Sequence, residues 1–160
     1  MAETEDIYCL IVPMRDKPIL IPNKALAEIV PYIDSEPPPE DHQPWHIGYL
    51  HWRGMLLPVV SFEHIYNPDY PQPDRRQKMV AILHTQLGLK QMPYFALAVE
   101  GIPRLAPVNK ESVEHLDDSA EAIEALHESI LANVKYRERD LLIPDIKTVE
   151  WLIEQHIKTQ

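Results

Sequence analysis

Eight short apolar runs constrain this chain more than any other feature: IYCLIVPM (7–14), PILIP (18–22), HIGYLHW (46–52), MLLPVV (55–60), MVAILHT (79–85), YFALAVEGI (94–102), ILANVKY (130–136) and LLIPDI (141–146). Each is too short for a core helix and is bounded by Pro, Gly, Asp or Lys, as strands of a compact sheet or barrel are. The chain holds 16 prolines against 4 glycines. That balance suits stiff strands joined by proline-punctuated turns rather than glycine-lined phosphate sites. No GxGxxG, P-loop or GxSxG motif occurs.

Helix signals are fewer. NKALAEIV (23–30) places Asn23 at an N-cap position before a brief helical run. DSAEAIEALHESIL (118–131) opens with the capping pair Asp118 and Glu121 and sets Ile123, Leu126 and Ile130 on one side. TVEWLIEQHIKT carries Val149, Leu152, Ile153 and Ile157 at helical spacing, an amphipathic terminal helix. SEPPPEDHQP (35–44) reads as a rigid polar loop, and NPDYPQPDRRQK (67–78) as a proline-rich connector between two halves, about 7–66 and 94–152. At a shift of about 86 residues the halves look alike: Tyr8 falls on Tyr94, Arg53 on Arg139, Leu56 on Leu142 and Pro58 on Pro144. Ser61 and Asp145, both N-cap types, precede helical segments near the same register. Units of this size bury little core alone, so two of them should pack together as paired small barrels within one domain, 6–155.

A formal charge of −10 repels phosphate backbones, and DRRQK (74–78) is too short a basic spot to make nucleic acid a partner. No run is long enough to span a membrane, and the acidic start MAETEDIY is unlike a signal peptide. Cys9 is the lone cysteine and sits among apolar neighbours, as a buried thiol in a reducing compartment would. The expectation is a soluble cytoplasmic protein.

Chemistry is hard to assemble from these residues. His42, His46, His51 and His64 lie close in sequence but match no familiar zinc spacing, so turn or solvated histidines are expected. The carboxylate pairs Glu3 and Glu5, Glu40 and Asp41, and Asp117 and Asp118 sit in polar runs where nothing raises a pKa for acid catalysis. No catalytic residue, metal site or cofactor is expected. Arg53 is different, because its guanidinium stays charged and near a core demands a carboxylate. Glu28, flanked by Ala27, Ile29 and Val30, is the acid that shares its apolar setting; an exposed arginine at a turn and an exposed helical glutamate fit the spacing equally well. Gly54 fits a tight turn that a side chain would obstruct.

IGYLHWRGMLLPVVSFEHIY (47–66) resembles the hallmark segment of the CheW family, the chemotaxis coupling proteins. YCLIVPMRDKPILIPNKALAEIV, LAVEGIPRL and DLLIPDIKTVEWL resemble the other family segments in order, so the likeness covers about residues 6–155. It implies a mainly β fold of two intertwined five-stranded barrels of the Src-homology-3 kind, with short helices and a C-terminal amphipathic helix. It also implies a non-enzymatic adaptor without cofactor, joining the cytoplasmic tip of a chemoreceptor to the regulatory domain of a CheA-type histidine kinase. By the resemblance, Glu28 and Arg53 are the charged pair of the interaction surface, with Gly54 beside them. Leu26, Val99 and Ile102 match apolar positions facing a groove that takes a helical receptor hairpin. The chain departs from the family pattern at His51, Ser61 and Glu100, which stand where the family has Asn, Asp and Asp. With its 35–44 loop and 118–131 segment it resembles a divergent, ChpC-like branch tied to pilus-based motility. An interaction module with another signalling partner is the alternative, since fold alone does not set function.

Overall fold

The computed structural model describes residues 6–33, 35–71, 79–86, 92–116, 121 and 126–157. Among them the chain forms β1 (Ile7–Val12), β2 (Ile19–Pro22), β3 (Leu26–Pro31), β4 (Ser35–Glu36), β5 (His46–Trp52) and β6 (Met55–Val60), then the short helix α1 (Phe62–Tyr66). There follow β7 (Met79–His84), β8 (Tyr94–Val99), β9 (Arg104–Val108), β10 (Val113–His115), β11 (Ile130–Tyr136), β12 (Arg139–Pro144) and the helix α2 (Ile146–His156). All eight apolar runs are strands, and the terminal helix buries Val149 and Ile153 with Leu152 packed beside them.

The strands build two curled six-stranded sheets, in the orders β10-β11-β12-β2-β1-β9 and β3-β7-β8-β6-β5-β4. Each consists of five longer strands and one short edge strand, β10 or β4, and forms a half-barrel with one strand more than the five expected. The halves are intertwined: β1 and β2 leave the strands β3–β6 that follow them and join the sheet of the later strands, β1 pairing with β9 and β2 with β12.

Side-chain alternation explains the near-continuous apolar runs. On β1, Cys9 and Ile11 fill the interior of one half-barrel while Leu10 and Val12 face a central core. On β7, Val80 and Ile82 fill the other half-barrel while Ala81 and Leu83 face that same centre. Strands buried on both faces lose the polar alternation of a solvated sheet. Helix α2 closes the central core with Ile146, Val149 and Ile153.

Both sheets follow one plan, and the plan corrects the sequence overlay. From the short edge strand inward, β4-β5-β6-β8-β7-β3 answers β10-β11-β12-β2-β1-β9. The counterpart of β1 is therefore β7, not β8, and the overlay of Tyr8 on Tyr94 joins two strands with different places in their sheets. The turn between β5 and β6 holds Arg53 (φ 49°) and Gly54 (φ 76°); that between β11 and β12 holds Arg137 (φ 47°) and Glu138 (φ 66°). Arg53 thus answers Arg137, not Arg139, at a shift of about 84 residues. Both are two-residue hairpin turns of the kind that matches strand twist. At Gly54 a Cβ would meet nothing within 4 Å, so glycine serves the left-handed backbone and not a close contact.

Two further expectations are overturned. Residues 23–30 are not a helix: a single 3-10 turn over Asn23–Ala25 leads into strand β3. Ile29 and Val30 suit a strand, and pairing of β3 with β7 outweighs the weak helical propensity of the run. The helix expected over 118–131 does not reach its end, because Ile130 opens β11; residues 117–120 and 122–125 lie outside the described residues, as does 72–78. Asp145 caps α2, accepting from the Thr148 amide at 3.3 Å. Ser61 precedes α1 without capping it, its hydroxyl meeting His64 Nδ1 at 2.6 Å instead.

Each helix also supplies a buried glutamate to a hairpin loop. Glu63 of α1 accepts from the backbone amides of Arg15 (3.0 Å) and Asp16 (3.4 Å), in the β1–β2 connection. Glu150 of α2 accepts from the amide of Gln86, which follows β7. Nothing in the sequence marks these two acids apart from their neighbours.

Gly48 needs its missing side chain for a different reason from Gly54. A Cβ on Gly48 would stand 2.5 Å from the Tyr32 hydroxyl and 2.6 Å from the Glu36 carbonyl oxygen. Tyr32 can swing, but the Glu36 backbone moves only if β4 detaches from β5. Gly48→Ala is expected to lose about 1–3 kcal/mol, read from urea denaturation; an unchanged midpoint would mean that β4 is not held there.

Candidate functional site

The turn after β5 gathers the charged residues singled out in the sequence. Arg53 Nη2 lies 3.4 Å from Glu28 Oε2, and the same oxygen accepts the Trp52 indole N–H at 2.8 Å. The Arg53 guanidinium stacks 4.7 Å from the Trp52 ring centroid. Trp52 is buried, so its indole anchors Glu28, while Arg53 rides on the outer face of the ring as a cation–π pair. Arg53 and Glu28 side chains are 68% and 42% exposed, which settles the two readings in favour of a surface pair. Such a pair contributes about 0.2–1 kcal/mol to folding, so both charges are available to a partner. Trp52 was missed; an indole beside an Arg-Gly turn was the signal, since a buried indole N–H needs an acceptor.

The apolar positions divide. Leu26 is half-buried on β3, on the edge of its sheet and on the same strand as Glu28. Ile102 is 71% exposed in the loop after β8. Val99 is a correction: it is 1% exposed, inside the central core, and faces no groove. Alternation along β8 explains why, since Val99 shares the core-facing side with Phe95 and Leu97. Its register, level with Met79 and Pro31, also sets it away from Glu28, which stands level with Ala96. The structure therefore joins Glu28, Arg53 and Gly54, with Leu26 near them along β3, and sets Val99 and Ile102 toward the other end of the strands.

The histidines are dispersed among separate partners. His42 Nδ1 meets the Pro39 carbonyl at 2.7 Å and His51 meets Glu36 at 3.2 Å. His46 and His64 are buried rather than solvated, His64 donating from Nε2 to the Tyr70 carbonyl at 2.9 Å. Among the described residues no three His, Cys, Asp or Glu side chains come together as metal ligands, and no helix is long and apolar enough to cross a membrane. Glu40 and Asp41 are exposed; Glu3, Glu5, Asp117 and Asp118 lie outside the described residues. Burial pushes the Cys9 thiol up, which keeps it protonated and unreactive.

Burial holds the His46 imidazole below its ordinary value, against the opposing bond of Nε2 to the Gly48 carbonyl at 3.1 Å. The unfolded chain then takes up this proton more readily than the folded one, so stability falls as pH drops through the ordinary imidazole value of about 6.5. Urea midpoints are expected to be lower at pH 5 than at pH 7.5, with the difference reduced in His46→Gln; an unchanged difference would assign the effect to other groups.

The described residues thus form a double half-barrel that carries an exposed charged turn. The CheW-like domain model matches residues 8–150, and the chain belongs to that family. The crystal structure of the scaffolding protein TtCheW from Thermoanaerobacter tengcongensis shares the fold at a TM-score of 0.67 and 13% identity, over 88% of this chain and 89% of that one. No curated protein matches the chain in sequence. As a member of the CheW family the chain is a non-enzymatic scaffold of chemotaxis-type signal transduction.

Proposed function

We propose that the chain is a cytoplasmic coupling adaptor, joining the signalling tip of a chemoreceptor to the regulatory domain of a CheA-type histidine kinase and recruited thereby to membrane receptor arrays. The observation that carries this reading is the exposed Glu28–Arg53 pair of a CheW-like domain, formed between β3 and the β5–β6 turn and organised by buried Trp52. Leu26, Glu28, Arg53 and Gly54 form the contact surface of this reading, and Ile102 is a separate apolar contact. The adaptor acts as one domain over 6–155 built of two halves, in flagellar chemotaxis or in pilus-based motility.

The test is a binding titration against a receptor-tip fragment and a kinase regulatory domain from the same cell, singly and together. Simultaneous binding of both is expected. Arg53→Glu is expected to weaken binding about tenfold or more while changing folding stability by less than about 1 kcal/mol. Failure of the folded protein to bind either would sink the coupling role and favour an interaction module with another signalling partner.

A further inference from the structure

A second surface lies apart from Leu26, Glu28 and Arg53. An open cleft of ≈ 830 Å³ runs between the 36–42 loop, the β5–β6 hairpin and the end of α2. Its wall includes Tyr49, Tyr94, Pro93 and Leu56, the last 46% exposed, and its rim includes Pro37 and Pro39. Both tyrosines are braced. Tyr49 stands edge-on to buried His46 at 4.8 Å, and Tyr94 packs edge-on to buried Trp52 at 4.9 Å. Ring faces held in this way give contact area with little ordering cost.

The formal charges lining the cleft are acidic, with His42, His46 and His156 beside them. Glu36 and Asp41 line it, and no Lys or Arg does. Glu36 meets His51 at 3.2 Å, in a contact where both side chains are about half exposed. A cationic side chain is the complement of that rim. The backbone beside the cleft excludes one mode of recognition. Strand β4 ends at Glu36 and is followed by Pro37, Pro38 and Pro39, which have no N–H to extend a ladder. A partner must then be held by side-chain packing on rings and prolines, which suits a pre-extended polyproline-type segment more than an added strand.

We propose that this cleft is a second docking site, for an extended proline-bearing segment of a protein partner that carries Arg or Lys. The site adjoins the coupling surface at Trp52, which braces Tyr94, but its lining includes none of Leu26, Glu28, Arg53 and Gly54.

The test uses the full-length chain labelled with nitrogen-15 and two probes, a proline-rich decapeptide carrying two arginines and its twin carrying two glutamates. The arginine peptide is expected to produce saturable amide shifts at Tyr49, Leu56 and Tyr94 below about 1 mM. The glutamate twin, and the Glu36→Gln/Asp41→Asn double variant with the arginine peptide, are expected to bind about fivefold more weakly or worse. Leu56→Ser, on the exposed wall, is expected to weaken both peptides, and Arg53→Glu neither. Absence of saturable shifts up to about 1 mM, equal binding of the twins, or shifts centred on Glu28 and Arg53 would each overturn the proposal.

Discussion

Val99→Asp is expected to abolish folding, whereas Ile102→Asp leaves stability within about 0.5 kcal/mol of the parent. The two residues stand three apart in one segment and look alike in sequence, yet Val99 is 1% exposed and Ile102 71%. A carboxylate at Val99 enters the central core, the apolar cluster that also holds Val12, Phe95 and Leu97. It must either remain charged without water or take a proton at a cost that rises with pH. The penalty is on the order of 4–5 kcal/mol or more, most of the stability that a domain has. Circular dichroism and urea denaturation read the outcome. A folded Val99→Asp protein that had lost only receptor binding would restore Val99 to the interaction surface.

Glu63→Ala is expected to cost about 2–4 kcal/mol, because two backbone amides lose a charged acceptor at a buried site. The carboxylate is the partner of the Arg15 and Asp16 amides, and the Tyr66 hydroxyl, on the same helix, donates to Asp16 at 2.7 Å. Removing the acid frees both amides of the β1–β2 loop and leaves the Tyr66–Asp16 bond to hold that loop to α1. Hydrogen exchange distinguishes this from a general loss of packing. The Arg15 and Asp16 amides should exchange faster than those of β7 and β8, and Glu63→Gln, which retains one acceptor oxygen, should recover about half of the loss. Uniform acceleration across the molecule would assign Glu63 a packing role instead.

Candidate-site residues were legible where chemistry forced them. Arg53 had to remain charged, and Glu28 was the acid nearest it in character; the pair exists, although as a surface contact organised by Trp52. Leu26 and Ile102 are accessible in part, as a partner contact needs. Val99 was misplaced because an apolar residue reads the same whether it faces a groove or a core, and only what packs on its face of β8 decides.

Short apolar runs between prolines, with an amphipathic terminal helix, by themselves determine a mainly β chain, because period-two burial and proline's missing N–H act locally. The Arg-Gly turn is equally local, since its backbone conformation follows from residue type. Only the tertiary structure decides the rest. Strand β3 replaces a helix because β7 offers it a ladder, and β1 answers β7 because the halves exchange their first strands. Glu63 and Glu150 become clasps because distant loops bring amides to them. Each of these depends on contacts far apart in sequence, whose energy no local pattern records.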